Sequence, residues 1–166
     1  SDSRGGVFYR QVRVGREGKD FRLFKFRSMA SGADKKGLIT VGAKDSRVTR
    51  VGYFLRKYKL DELPQLLNVV RGEMSLVGPR PEVRKFVDMY TVEQRKVLAV
   101  VPGITDYASI EYADENTILG QASDPDRAYV EQIMPDKIRY NMKYINNRCL
   151  KEYFKIIFLT LMKIVK

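Results

Sequence analysis

With 166 residues, 44% of them hydrophobic, the chain has apolar material for one packed domain and is short for two, so a single domain over 1–166 is expected. One cysteine (Cys149) and no histidine exclude an internal disulfide, the usual zinc spacings and any imidazole-dependent triad. The net charge of +11, from 31 Lys+Arg against 20 Asp+Glu, favours a polyanionic partner: nucleic acid, an anionic membrane face or a phosphate-rich substrate.

Residues 7–14 (VFYRQVRV) and 21–29 (FRLFKFRSM) mix β-branched, aromatic and basic residues in partial alternation around a Gly-rich turn, and predict a β-hairpin. Residues 30–44 have no strong period and read as a loop. Asp45-Ser46 predicts a cap for a helix over 47–58, and a second helix follows over about 62–71 with Pro64 in its first turn. Gly78-Pro79-Arg80-Pro81 is a stiff loop because two prolines fix φ. A helix is expected from Glu82 to about Tyr90, then another to about Val100 opened by the capping box Thr91-Val92-Glu93-Gln94. Residues 104–112 (ITDYASIEY) read as extended. Asp124-Pro125 starts a helix to about Ile133, restarted at Met134-Pro135-Asp136 and running to about Asn147.

The segment 149–166 (CLKEYFKIIFLTLMKIVK) is helical by period, with Lys151, Lys155, Lys163 and Lys166 in one arc and the apolar residues largely elsewhere. Two readings of it stand: a core-packing helix, or an interfacial helix turning its lysines to lipid phosphates. No apolar run reaches the roughly 18 residues of a spanning helix, and no signal-peptide pattern is present.

The chemistry concentrates in Arg56-Lys57-Tyr58-Lys59-Leu60-Asp61-Glu62-Leu63-Pro64-Gln65. Helix N-terminal N–H groups and the cations Arg56, Lys57 and Lys59 favour ionised carboxylates at Asp61 and Glu62. An ionised aspartate is a competent nucleophile toward phosphorus, and a neighbouring glutamate suits a divalent cation that neutralises phosphate oxygens. Taken alone, an Asp-Glu pair at a helix start is more often a cap. Arg80 stands on the stiff loop, where a guanidinium matches phosphate at low ordering cost, although the tetrapeptide alone reads as a solvated turn. Lys25 and Arg27 supply further cations at a strand end, or an exposed hairpin face.

Seven segments occur in one order: Val7-Phe8-Tyr9-Arg10-Gln11, Lys25-Phe26-Arg27-Ser28-Met29, Arg47-Val48-Thr49-Arg50-Val51-Gly52, Leu55-Arg56, Leu60-Asp61-Glu62-Leu63-Pro64-Gln65, Ser75-Leu76-Val77-Gly78-Pro79-Arg80-Pro81 and Pro102-Gly103-Ile104-Thr105. Together they resemble the bacterial sugar transferase family, the monotopic polyprenyl-phosphate phosphoglycosyl transferases. The resemblance covers residues 7–110 well and the rest more loosely. It implies that Asp61 attacks the β-phosphate of a UDP-sugar, that UMP leaves, and that polyprenyl phosphate then attacks the aspartyl phosphosugar. It further implies that Glu62 binds Mg²⁺ and that Arg56, Arg80 and Lys25 hold phosphate groups. The implied partners are a UDP-sugar, polyprenyl phosphate and an anionic membrane surface at the cytoplasmic face of a bacterial inner membrane.

The sequence departs from the family in three places. Relatives carry an N-terminal re-entrant membrane helix ahead of the position of Val7, so the expectation is a catalytic domain without that segment. Many relatives have an acidic residue about where Tyr153 lies, beside Glu152. The segment 106–112 differs from the commoner Gly- and Gln-containing version. The expected fold is α+β: a small N-terminal β-hairpin, several short helices around the active site and amphipathic C-terminal helices. Two other functions compete. A basic nucleic-acid-binding module would stack bases on Phe8, Tyr9, Phe21, Phe24 and Phe26, and a non-catalytic membrane adaptor would use the last helix alone. Both leave Asp61 and Glu62 idle.

Overall fold

Period-two alternation in the first segment forms strand β1 (Phe8–Val14), which pairs antiparallel with β2 (Asp20–Phe26) in the register Phe8↔Phe26 to Val14↔Asp20. The turn between them holds Glu17 and Gly18 at φ 58° and 74°. The computed structural model describes residues 5–33, 37, 40 and 45–165, with the Val165 side chain left out. The loop expected over 30–44 and the lysine at 166 therefore lie largely or wholly outside the described residues.

Helix α1 (Arg50–Lys57) starts three residues later than expected. Thr49 is its cap, accepting from the Gly52 N–H at 2.9 Å, whereas Asp45 takes the backbone N–H and guanidinium of Arg47. Gly52 permits a close approach: a Cβ there would lie 1.8 Å from the carbonyl oxygen of Ser28. Helix α2 (Gln65–Val70) follows, then β3 (Ser75–Val77). The helix expected from Glu82 shrinks to α3 (Arg84–Val87), because the Glu82 carbonyl accepts from the Val14 N–H at 2.8 Å and so belongs to the edge of β1. The Thr91 capping box forms reciprocally with Gln94 (2.9 and 3.2 Å) but opens a 3₁₀ turn, Gln94–Ala99.

The extended reading of 104–112 holds only for β4 (Gly103–Thr105), which pairs parallel with β3. Gly103 lets the two backbones meet, since a Cβ there would lie 2.1 Å from the Gly78 nitrogen. Helix α4 (Tyr107–Glu111) then begins, because the Asp106 carboxylate captures the Ser109 N–H and hydroxyl, both at 2.6 Å. Helices α5 (Glu115–Gln121), α6 (Pro125–Ala128) and α7 (Met134–Asn146) follow, with a π-helical segment over Tyr129–Ile133 joining the last two. Asp124 caps α6 as expected. Helix α8 (Leu150–Val165) closes the chain. The architecture is α+β.

Two apolar clusters support this arrangement. One joins Val83, Phe86, Leu119, Tyr129, Ile133, Met134 and Ile138, with the Phe86 and Tyr129 rings 4.7 Å apart. The other joins Val77, Tyr144 and Ile156. Each fully buried side chain of this size contributes about 1.5–3 kcal/mol.

Candidate active site

Asp61 and Glu62 lie on a 3₁₀ turn, Leu60–Glu62, directly after α1. Lys59, in the left-handed region at φ 55°, reverses the chain there, a conformation costing a non-glycine residue roughly 1–2 kcal/mol. Helix α2 fixes the turn from behind. Its fully buried Asn68 accepts from the Phe24 N–H (3.0 Å) and donates to the Arg22 carbonyl (2.9 Å) and Glu73 (2.7 Å), so it is stitched to β2. Lys25, on the same strand, is thereby brought to the turn.

The two adjacent carboxylates meet opposite surroundings. Both oxygens of Glu62 are occupied: Arg80 donates bidentately at 2.6 and 2.7 Å, and Lys25 donates at 3.1 Å. Burial opposes its charge, yet Arg80 and Lys25 outweigh burial and hold the carboxyl well below its ordinary range. Asp61 is 5% exposed and accepts no hydrogen bond from the described residues. Burial pushes its carboxyl up, opposed by Lys25, reinforced by Glu62 and opposed again by Arg56 and Lys59. The cations favour ionisation of both carboxyls, as expected, but at Asp61 burial outweighs them. Arg56 turns to Ser28 Oγ (3.1 Å) and Thr40 Oγ1 (3.4 Å) instead, and Lys57 lies over the Tyr58 ring.

Asp61 borders a cavity of about 350 Å³ whose wall carries Arg13, Lys25, Arg27, Arg47 and Arg56. Of these cations Arg13 is paired with Glu82, Lys25 with Glu62 and Arg47 with Asp45, and the guanidinium-rich wall suits an anionic ligand. Arg80 is anchored beside it: its backbone N–H goes to Asp106 (3.1 Å) and its Nη1 to the Ile104 carbonyl (2.9 Å) as well as to Glu62. Three of its side-chain hydrogen bonds are committed, so part of its fork stays open to a ligand.

The residues do not fit a metal ion held by Glu62. Two cations occupy its oxygens, and no group of three or more acidic or cysteine side chains suited to a metal exists among the described residues. Glu152 bonds to the Tyr107 hydroxyl, and Tyr153 packs on the Val77–Ile156 cluster, so neither borders the Asp61 cavity.

A second feature is an inverted helix. Gln65 and Asn68 are the buried residues of α2, while Leu66, Leu67 and Val70 face outward, Val70 at 86% exposure. Val51, Tyr53 and Phe54 of α1 and Leu63 are exposed as well. Helix α8 has one buried face and one exposed apolar face. Ile156 is buried, and Leu150, Phe154 (64% exposed), Phe158 (62%), Leu161 and Met162 form an outward apolar arc, with Lys151 inside it and Lys155 at its border. A groove of about 820 Å³, lined by Leu63, Leu66, Ile157, Leu161 and Ile164, runs from this surface to Glu62 and Arg80. No described helix is long and apolar enough to cross a membrane.

Sequence reasoning missed Asn68, Asp106, Ser28 and Gly52 as builders of the site. The Asx-x-x-Ser spacing of Asp106 and Ser109 and the i, i+3 spacing of Gln65 and Asn68 were the available signals. Among the aromatics offered for base stacking, Phe24 is buried beneath the guanidinium groups of Arg10 and Arg71 (5.0 and 4.8 Å), and Phe8 stacks on Phe26.

Comparison with known proteins places this geometry. The family model described as bacterial sugar transferase matches residues 1–166. The chain is 39% identical over 167 residues to the UDP-N-acetylgalactosamine-undecaprenyl-phosphate N-acetylgalactosaminephosphotransferase of Aeromonas hydrophila, covering 99% of this chain and 36% of that protein. It is 38% identical over 168 residues to the UDP-glucose:undecaprenyl-phosphate glucose-1-phosphate transferase of Klebsiella pneumoniae, covering 97% and 33%. The corresponding enzyme of Escherichia coli K12 is 36% identical over 168 residues, again covering 97% and 33%. The chain thus spans about a third of the length of these relatives. With a family match across its whole length, the chain belongs to the bacterial sugar transferases.

Proposed function

We propose that this chain carries the catalytic centre of a phosphoglycosyl transferase that moves a sugar-1-phosphate from a UDP-sugar to polyprenyl phosphate at the cytoplasmic face of a bacterial membrane. The observation that carries the reading is Asp61, a buried carboxylate without a hydrogen-bond partner among the described residues, facing a cavity walled by cations. The names of the relatives support the substrate class, since each pairs a UDP-sugar with undecaprenyl phosphate.

In this reading an Asp61 oxygen attacks the β-phosphorus. The bond from that phosphorus to the bridging oxygen breaks, and UMP departs with the electron pair. An oxygen of polyprenyl phosphate then attacks the same phosphorus, displacing the Asp61 carboxylate and giving polyprenyl diphosphosugar. Leaving Asp61 unpaired keeps its lone pairs available, while the cations stabilise charge developing on the leaving phosphate. Glu62 acts as a positioning residue that aims Arg80 and Lys25, and no step is routed through a metal on it. The apolar groove beside Glu62 suits the lipid chain of the acceptor, and the outward faces of α2 and α8 suit the membrane interface.

The test is UMP release from UDP-sugars by the Asp61→Asn variant in lipid nanodiscs containing polyprenyl phosphate. Loss of release with ligand binding retained is expected. Release at the wild-type rate sinks the assignment and favours a binding role for the basic surface.

A further inference from the structure

Beside the Asp61 cavity lies a second one of about 270 Å³. Both are lined by Arg13, Lys25 and Thr40, so they flank one another across the Lys25 side chain. The second cavity carries Lys59, and its other cations are paired in place: Arg80 and Lys25 with Glu62, Arg13 with Glu82, and Lys137 with Glu115 at 2.8 Å. The Tyr112 hydroxyl donates to Asp136 at 2.6 Å. Among them stand uncharged polar groups: Ser109, Asn116, Asn141 and Tyr90. Neutral hydrogen-bonding groups beside paired charges suit a ring bearing hydroxyls.

Asn141 points to the occupant. It lies in the buried stripe of α7 with Met134, Ile138 and Tyr144, where an apolar residue would pack without cost. It is 6% exposed, it borders the cavity, and its Oδ1 has no hydrogen-bond partner among the described residues. A buried acceptor left unmade costs about 1–3 kcal/mol. Gln65 Nε2, the other such atom among the described residues, borders neither cavity. The volume falls below the roughly 300–1,000 Å³ of clefts for drug-sized ligands, and so suits a single polar ring.

We propose that this second cavity is the hexose subsite of the donor, with Asn141 Oδ1 accepting a hydrogen bond from a hydroxyl or amide N–H of the sugar. The proposal rests on the transferase reading above. It orients the donor: the nucleotide lies on the Arg47 and Arg56 side of Lys25, the sugar lies on the Glu62 side, and the β-phosphorus sits between them at Asp61. The sugar then stays with the phosphorus while UMP withdraws from the opposite side.

The test is calorimetric titration of the full chain and its Asn141→Ala and Asn141→Leu variants with UDP, UDP-glucose and UDP-N-acetylgalactosamine. For both variants the dissociation constant of the bound UDP-sugar should rise about tenfold, the loss of one buried hydrogen bond, while that for UDP stays within about twofold. Leucine fills the stripe, so its melting temperature should not fall and the affinity change cannot be ascribed to unfolding. Unchanged UDP-sugar affinity in both variants overturns the subsite, as does a parallel loss of UDP affinity. Failure of the unsubstituted chain to bind UDP or either UDP-sugar overturns the transferase reading beneath it, and the subsite with it.

Discussion

Replacing Glu62 by Gln isolates what that carboxylate does. In the fold it receives three charge-assisted hydrogen bonds from two largely buried cations. Glutamine keeps one acceptor, but it turns an NH₂ toward a guanidinium or an ammonium and leaves both charges unbalanced. Breaking a buried pair by removing one partner costs about 3–5 kcal/mol. Partial exposure of Arg80 and Lys25 and the remaining acceptor place the variant at the lower end, about 3 kcal/mol, or roughly 6–12 °C for a chain of this length. The pH dependence has a definite sign. The Glu62 carboxyl lies below its ordinary value, so its contribution is complete above the unfolded-state value of about 4.3 and is lost as pH falls through the folded-state value. Urea unfolding of both proteins should therefore give a full gap at pH 7 that narrows steadily in acid. Adding Mg²⁺ at pH 7 should leave the gap unchanged. A gap below about 0.5 kcal/mol at pH 7 refutes the anchoring role, and a gap that widens with Mg²⁺ returns Glu62 to the metal.

The other substitutions probe different parts of the site. Asp61→Asn should abolish UMP release and yet raise stability at pH 7, because a carboxyl pushed up by burial subtracts stability as pH rises past its unfolded-state value; a lower melting temperature than wild type contradicts this. Asn68→Ala should cost about 2–4 kcal/mol in urea unfolding, since it orphans the Phe24 N–H and the Arg22 carbonyl at once. Changing Leu66, Leu67 and Val70 together to Ser should cost about 1–2 kcal/mol of fold stability, because the two leucines are about half buried. The same triple change should weaken binding to phosphatidylglycerol–phosphatidylcholine vesicles more than tenfold, and unchanged vesicle binding removes α2 from the membrane face.

The site was legible in the sequence where chemistry is written locally. Asp61, Glu62, Arg56, Arg80 and Lys25 stand within ordered motifs, and the structure gathers them around one turn. The partition of their roles was not legible, because it depends on contacts across the fold. Lys25 and Arg80 reach Glu62 from 37 and 18 residues away, and Arg56 turns to Ser28 instead of Asp61. The hairpin and the caps at Thr91 and Asp124 follow from short patterns. The extended segment expected at 104–112 ends at Thr105, because the Asp106 carboxylate bonds Ser109 and opens a helix. Helix α2 was placed correctly, but its orientation came from Asn68 bonding the edge of β2, which turns the leucines outward against the usual rule.

The central claim is that Asp61 becomes bonded to phosphorus, and intact-mass spectrometry tests it directly. Incubation with the UDP-sugar alone, in the absence of polyprenyl phosphate, should give an adduct with the mass of the sugar phosphate, mapped to Asp61 by peptide sequencing. The adduct should vanish when polyprenyl phosphate is added and should never form on Asp61→Asn. Turnover sustained without any such adduct, or the same adduct on the variant, would contradict the account.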